Sequence, residues 1–244
     1  MLPLRFSHDP KADLQILCLG AHSDDIEIGC GGTLMQLAAE YPNAAFHWVV
    51  FSSGPERERE AHESAALSLK NVRNGKVVVK DFRGSFFPFI GGEIKDYFEE
   101  IKTSMSPDVI FTHQRNDLHQ DHLVVNQLTW NTFRNHLILE YEICKYDGDL
   151  GNPNVFMHLS ADTCRQKVDY ILSAFKTQKD RAWFTEDTFL SMMRIRGVES
   201  NSPSRYAEAF YCRKIVLSRP SVGNNGLGAD IASAIVGTQH LRQG

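Results

Sequence analysis

Two short segments of this 244-residue chain are crowded with histidine and carboxylate side chains. They are Ala21-His22-Ser23-Asp24-Asp25 and, much later, Asn116-Asp117-Leu118-His119-Gln120-Asp121-His122. These residue types ligate divalent cations and exchange protons near neutral pH. His22 and Asp25 are three apart, as are His119 and His122, so one helical turn or tight loop can aim each pair to the same side. Two histidines and one carboxylate are a three-ligand set of the kind catalytic zinc uses, with a fourth position left open. A closed structural site would need further ligands, and no CxxC pair supplies them. The pair Asp24-Asp25 has a plainer explanation in capping a helix start, where negative charge is favourable. The second histidine cluster weighs against it.

Each cluster follows an apolar run, 14–20 and 108–112, that reads as a β-strand. Further strands are expected at 46–51, 76–80 and 141–145, with helices between them at 31–41, 56–70, 93–105 and 121–135. Strand and helix in alternation imply right-handed crossovers and a mostly parallel sheet. The expected fold is therefore α/β, a Rossmann-like three-layer α/β/α arrangement with strand order 3-2-1-4-5 plus C-terminal strands. In that order the first and fourth strands are neighbours where the winding reverses, and ligands bind beyond their carboxyl ends. This placement would bring the two clusters into one crevice. The second half is less regular, with strands expected at 155–159 and 209–217 around a helix at 161–175.

Two other motifs invite functional readings. Gly29-Cys30-Gly31-Gly32 matches a dinucleotide-binding fingerprint poorly, because the eight residues 21–28 separate it from the strand end and Asp24, Asp25 and Glu27 would face the phosphates. Its glycines are expected to permit tight packing at the helix entrance. The loop Phe86-Phe87-Pro88-Phe89 is apolar and is expected to fold onto the core.

The net charge of −4 comes without any long block of like charge, which points to a small-molecule partner and away from nucleic acid. Five scattered cysteines form no disulfide framework, and neither a signal-peptide core nor a run of about 20 apolar residues is present. A cytoplasmic protein without a transmembrane segment is expected. One domain over 1–217 and a Gly/Asn/Ser-containing tail over 218–244 fit the length, with a homo-oligomer left open.

The two clusters resemble the signatures of the PIG-L/LmbE-like family of zinc-dependent de-N-acetylases. So do Gly29-Cys30-Gly31-Gly32-Thr33-Leu34, the 59–69 stretch, and Arg196-Gly197 with Tyr206-Ala207-Glu208-Ala209-Phe210. The resemblance covers most of 14–217. It departs at Ser23 and Gln120, where proline is usual, and at Lys176, where a histidine often precedes the Thr177-Gln178 pair.

The resemblance implies that His22, Asp25 and His122 hold one Zn2+ per chain. Asp24, beside the metal but not on it, is the expected general base. His119 is the candidate electrophile and general acid, with Asp121 orienting its ring, and Arg59 is a candidate contact to substrate hydroxyls or phosphate. The activity implied is removal of acetyl from an N-acetylglucosamine-type sugar conjugate, releasing acetate and a free amine. Carriers as different as lipid, nucleotide, inositol and antibiotic remain open. The rival readings are a metal-dependent hydrolase of another amide or a phosphoester, and a non-catalytic sugar- or metal-binding relative.

Overall fold

Among the described residues seven strands form one sheet in the order β3-β2-β1-β4-β5-β7-β6. They are β1 (Gln15–Gly20), β2 (Ala45–Val50), β3 (Asn74–Val79), β4 (Val109–His113), β5 (Leu137–Tyr141), β6 (Val155–Leu159) and β7 (Tyr206–Tyr211). The first five are parallel, and β7 runs antiparallel to both β5 and β6. The computed structural model describes residues 1–217 except 2, 8, 10 and 71, so the expected 218–244 tail lies outside the described residues. Residues Met1–Lys214 form one compact unit.

Six helices cover the sheet: α1 (Asp25–Glu40), α2 (Pro55–Ser68), α3 (Gly91–Ser104), α4 (Gln120–Thr132), α5 (Ala161–Ala174) and α6 (Glu186–Glu199). Strand β1 shows why three layers form. Its Ile16 and Cys18 face the core shared with α1, α2, α5 and α6, while Leu17 and Leu19 face the core shared with α3 and α4. A strand buried on both faces has to be apolar throughout, as in parallel sheets generally.

The expected α/β fold and the central order 3-2-1-4-5 hold. Three elements depart most from their expected bounds. Strand β5 begins at Leu137 rather than 141, because Ile138, Leu139, Glu140 and Tyr141 supply its buried residues. The final strand ends at Tyr211, where 209–217 had been expected. Helix α1 starts at Asp25, so the glycine cluster lies within the helix rather than at its entrance.

The packing expectation for that cluster holds nonetheless. A Cβ on Gly29 would stand 2.2 Å from the Tyr141 ring, and one on Gly32 would stand 2.6 Å from Leu159. Tyr141 is pinned there by donating its hydroxyl to Leu19 O at 2.6 Å. Behind it, Glu208 of β7 accepts from the backbone N–H groups of Gly32 and Thr33, and Lys167 of α5 donates to Ile28 O and to Glu208. The C-terminal strands thus fix the helix whose first turn carries Asp24 and Asp25. The apolar loop is divided: Phe87 is buried, whereas Phe89 is exposed to 78%.

Candidate metal centre

Strands β1 and β4 are paired, and their carboxyl ends deliver the two polar clusters to one place. Strand β1 passes through Ala21 into the first turn of α1, and β4 passes through a tight loop into α4. His22 Nδ1 lies 3.2 Å from His122 Nε2. Asp25 closes the triangle, with Oδ1 at 3.5 Å from His122 Nε2 and Oδ2 at 3.5 Å from His22 Nδ1. Donors at zinc-like bond lengths around a tetrahedral centre are separated by about 3.3–3.4 Å. The three side chains named from the sequence are thus brought together, with different oxygens of Asp25 facing the two rings.

The outer hydrogen bonds agree with that reading. His22 Nε2 donates to Asp121 Oδ2 at 3.1 Å, and His122 Nδ1 donates to Asp117 Oδ2 at 2.9 Å. With both rings neutral and each proton on the far nitrogen, two lone pairs would face one another beside a carboxylate. Such a donor set fits a divalent cation, and carboxylates behind ligating histidines are the usual support of one. The residues present fit the group the family resemblance implies.

The electrostatics show the same demand for positive charge. Burial pulls His22 down, but Asp25, Asp121 and Asp24 outweigh it and raise His22 to about 10. Burial and the neighbouring His113 push His122 down to about 3, which keeps its ring neutral. Burial would raise Asp25, yet His122, His113 and His22 hold it well below the usual carboxylate range. His22 N donates to Asp25 Oδ2 at 2.6 Å, which helps set the carboxylate's orientation.

Asp24 differs from its neighbour. It occupies the N-cap position of α1 but makes no side-chain capping bond, so helix capping does not account for its carboxylate. Arg57 donates to Asp24 Oδ1 at 2.6 Å. Burial pushes Asp24 up and Arg57 partly offsets it, leaving a net rise. His119 caps α4, its Nδ1 accepting from Asp121 N at 3.2 Å, which puts the proton of the neutral ring on Nε2. Burial, aided by His22, lowers it. The ring stacks on His122 with centroids 4.5 Å apart.

Two sequence assignments land elsewhere. The Asp121 carboxylate does not hold His119: it accepts from His22 and from the backbone N–H groups of Ser85 and Phe87, and only its own backbone N–H meets His119. Arg59 lies on the solvent face of α2 beside Glu63, away from Asp24. Arg57 reaches the site instead, and helix spacing could have shown it, because Arg57 shares a face with the buried Ala61, Ser64, Ala65 and Ser68. Of the C-terminal residues, Arg196 is buried against Glu142 and Glu199, a packing role.

His113, absent from the sequence assignments, ends β4 fully buried. Its Nε2 accepts from Ala21 N at 3.0 Å and lies 3.1 Å from Asp25 Oδ2, and its ring stacks on His122. Among the described residues, two sets of donors are close enough together to surround an ion: Asp25, His113 and His122, and His22, His119 and His122.

Residues 17–133 match the model of the family described as PIG-L: GlcNAc-PI de-N-acetylase. The resemblance read from the sequence is thereby shown over that segment, which runs from β1 through α4 and carries both polar clusters. A curated relative, "Uncharacterized deacetylase YaiS" of Escherichia coli (strain K12), is 32% identical over 118 residues, 46% of this chain and 64% of the relative. The match thus spans just under two thirds of that protein's length. Among solved structures, N,N'-diacetylchitobiose deacetylase from Pyrococcus horikoshii, complexed with its inhibitor MPG, superposes with a TM-score of 0.60 at 19% identity, covering 81% of this chain and 83% of that one. GalB, the 4-carboxy-2-hydroxymuconate hydratase of Pseudomonas putida KT2440, superposes with a TM-score of 0.62 at 15% identity over 85% and 99% of the two chains. A deacetylase and a hydratase therefore share this fold, and the chemistry has to be argued from the side chains.

Proposed function

We propose that this chain is a zinc-dependent N-deacetylase that removes acetyl from an N-acetylglucosamine-type sugar conjugate, releasing acetate and a free amine. The observation that carries the reading is the His22–Asp25–His122 triangle with an unliganded carboxylate, Asp24, next to it. His22, Asp25 and His122 would hold the ion. A bound divalent ion supplies Lewis acidity toward the acetyl carbonyl and makes water a better nucleophile.

The remaining steps belong to the protein. Asp24, raised by burial, takes the proton of the attacking water at Oδ1 or Oδ2, and Arg57 keeps it ionised enough to do so. His119 Nε2–H is the donor available to hydrogen-bond the developing oxyanion, because Nδ1 is occupied by Asp121 N–H, and the proton that Asp24 has taken from water is the one that balances the departing nitrogen, delivered by Asp24 itself or by way of His119 once that ring is protonated. Asp117 and Asp121 hold His122 and His22 in the tautomers that ligation requires. Among the described residues no helix is long and apolar enough to cross a membrane.

A panel of N-acetylglucosamine conjugates tests the reading. Acetate and free amine should appear in equal amounts, stop on chelation and return with added zinc. Metal-replete protein that releases acetate from none of them, or turnover indifferent to chelation, would overturn it.

A further inference from the structure

Lys145 belongs to the segment that follows β5, well separated in sequence from every ligand, yet its ammonium group is drawn into the support of one of them. Its side chain is only 9% exposed, and Nζ lies 3.0 Å from Asp117 Oδ1. The other oxygen of Asp117 accepts from His122 Nδ1 at 2.9 Å. The fully buried Asp117 also takes His119 N at 2.8 Å on Oδ1. The same Nζ pairs with Asp149, whose carboxylate accepts from Leu118 N at 2.7 Å, and Asp147 lies farther off at 3.9 Å.

Three carboxylates therefore converge on one cation, and only Asp117 of the three touches a ligating histidine. Without Lys145, Asp117 and Asp149 would face one another in a buried setting as like charges, a state relieved by movement of the loop that carries them apart. That movement takes the Asp117 oxygen out of reach of His122 Nδ1. His122 Nδ1–H would then lose its partner, and the ring would no longer be held with its Nε2 lone pair toward His22 and Asp25.

We propose that Lys145 is a positioning residue for the metal centre: by neutralising and orienting Asp117 it keeps His122 in the ligating tautomer, and so sets the affinity for the ion. This inference rests on the reading that His22, Asp25 and His122 hold a cation. Support behind a ligand is commonly worth 10–100-fold in metal affinity. A plain staple between two loops would instead support stability without acting through Asp117.

Zinc dissociation constants of the full chain, measured by competition with a chromophoric chelator, separate the two, with the visible spectrum of the Co2+-loaded protein as a second readout. Lys145→Met should weaken zinc at least tenfold and alter the Co2+ spectrum, while Lys145→Arg should restore affinity to within about threefold. In the Asp117→Asn background, adding Lys145→Met should cost nothing further, because the route runs through Asp117. If the methionine variant does not fold, Lys145→Gln, which keeps an N–H donor but not the charge, carries the same expectation. Wild-type affinity in a folded Lys145→Met or Lys145→Gln protein, or an equal loss with and without Asp117, overturns the proposal while leaving the ligand reading intact. A wild-type chain that binds no zinc overturns both.

Discussion

Asp24 and Asp25 are adjacent in sequence and opposite in environment. Burial dominates Asp24 and raises it, whereas three histidines hold Asp25 well below its ordinary range. A pair of like groups driven apart in this way is how a site separates a proton acceptor from a permanent anion. Asp24→Asn should keep its zinc and lose roughly 10²–10⁴-fold in turnover, read as kcat beside metal content. Near wild-type turnover in the zinc-loaded variant would remove Asp24 as the base. Arg57 tests the same carboxylate from its other side. Its positive charge lowers Asp24, so Arg57→Ala should raise Asp24 further and deplete its ionised form at a given acidic pH. The acidic limb of the pH–rate profile should accordingly move to higher pH. Arg59→Ala, two positions away on the exposed face, should leave that limb in place and change stability by no more than about 0.5 kcal/mol.

Helix α1 makes its demands at two of its glycines and not at the third. Gly29→Ala would drive a methyl group into the Tyr141 ring, which is itself held by Leu19 O, and should cost about 1–3 kcal/mol or more in denaturant unfolding. Gly31 is different, because a Cβ there would meet its nearest neighbour at 3.8 Å. Gly31→Ala should gain up to about 1 kcal/mol from helix propensity. At this scale much was legible in the sequence. The central strands announce themselves through continuous apolar runs, and the strand order follows from βαβ winding. The convergence of the two polar clusters was legible for the same reason, since residue type and strand ends together locate it. What escaped depends on tertiary contact. His113 reads as one more strand residue, Lys145 as a loop lysine, and the Asp121 carboxylate finds His22 rather than His119 because the Ser85–Phe87 backbone closes over it. The late start assigned to α1 has a local cause: glycines normally punctuate helices, and here close packing overrides that preference.

Across the whole molecule the site draws on segments that are remote in the chain. The N-terminal cluster enters from β1, the second from β4, the Ser85–Phe87 loop from beyond β3, and the Lys145–Asp149 segment from beyond β5. Helix α2 adds Arg57, and its Glu60 accepts from both the backbone N–H and the hydroxyl of Thr177, which anchors the Thr177-Gln178 pair to that helix. The pairing of β1 with β4 thus has a consequence in time. His22 and His122 are 100 positions apart, and their nitrogens reach ligand spacing only after that long loop has closed and both helices have docked. An unfolded chain offers an ion only scattered single ligands, so the metal should act as a late lock rather than a nucleus. In stopped-flow experiments zinc should leave the refolding rate nearly unchanged and slow unfolding in proportion to its occupancy. Zinc-accelerated refolding would place the crossover in the transition state instead. Scarcity of the ion would then shorten the life of the folded chain without hindering its birth, so that metal supply would govern how long each copy persists.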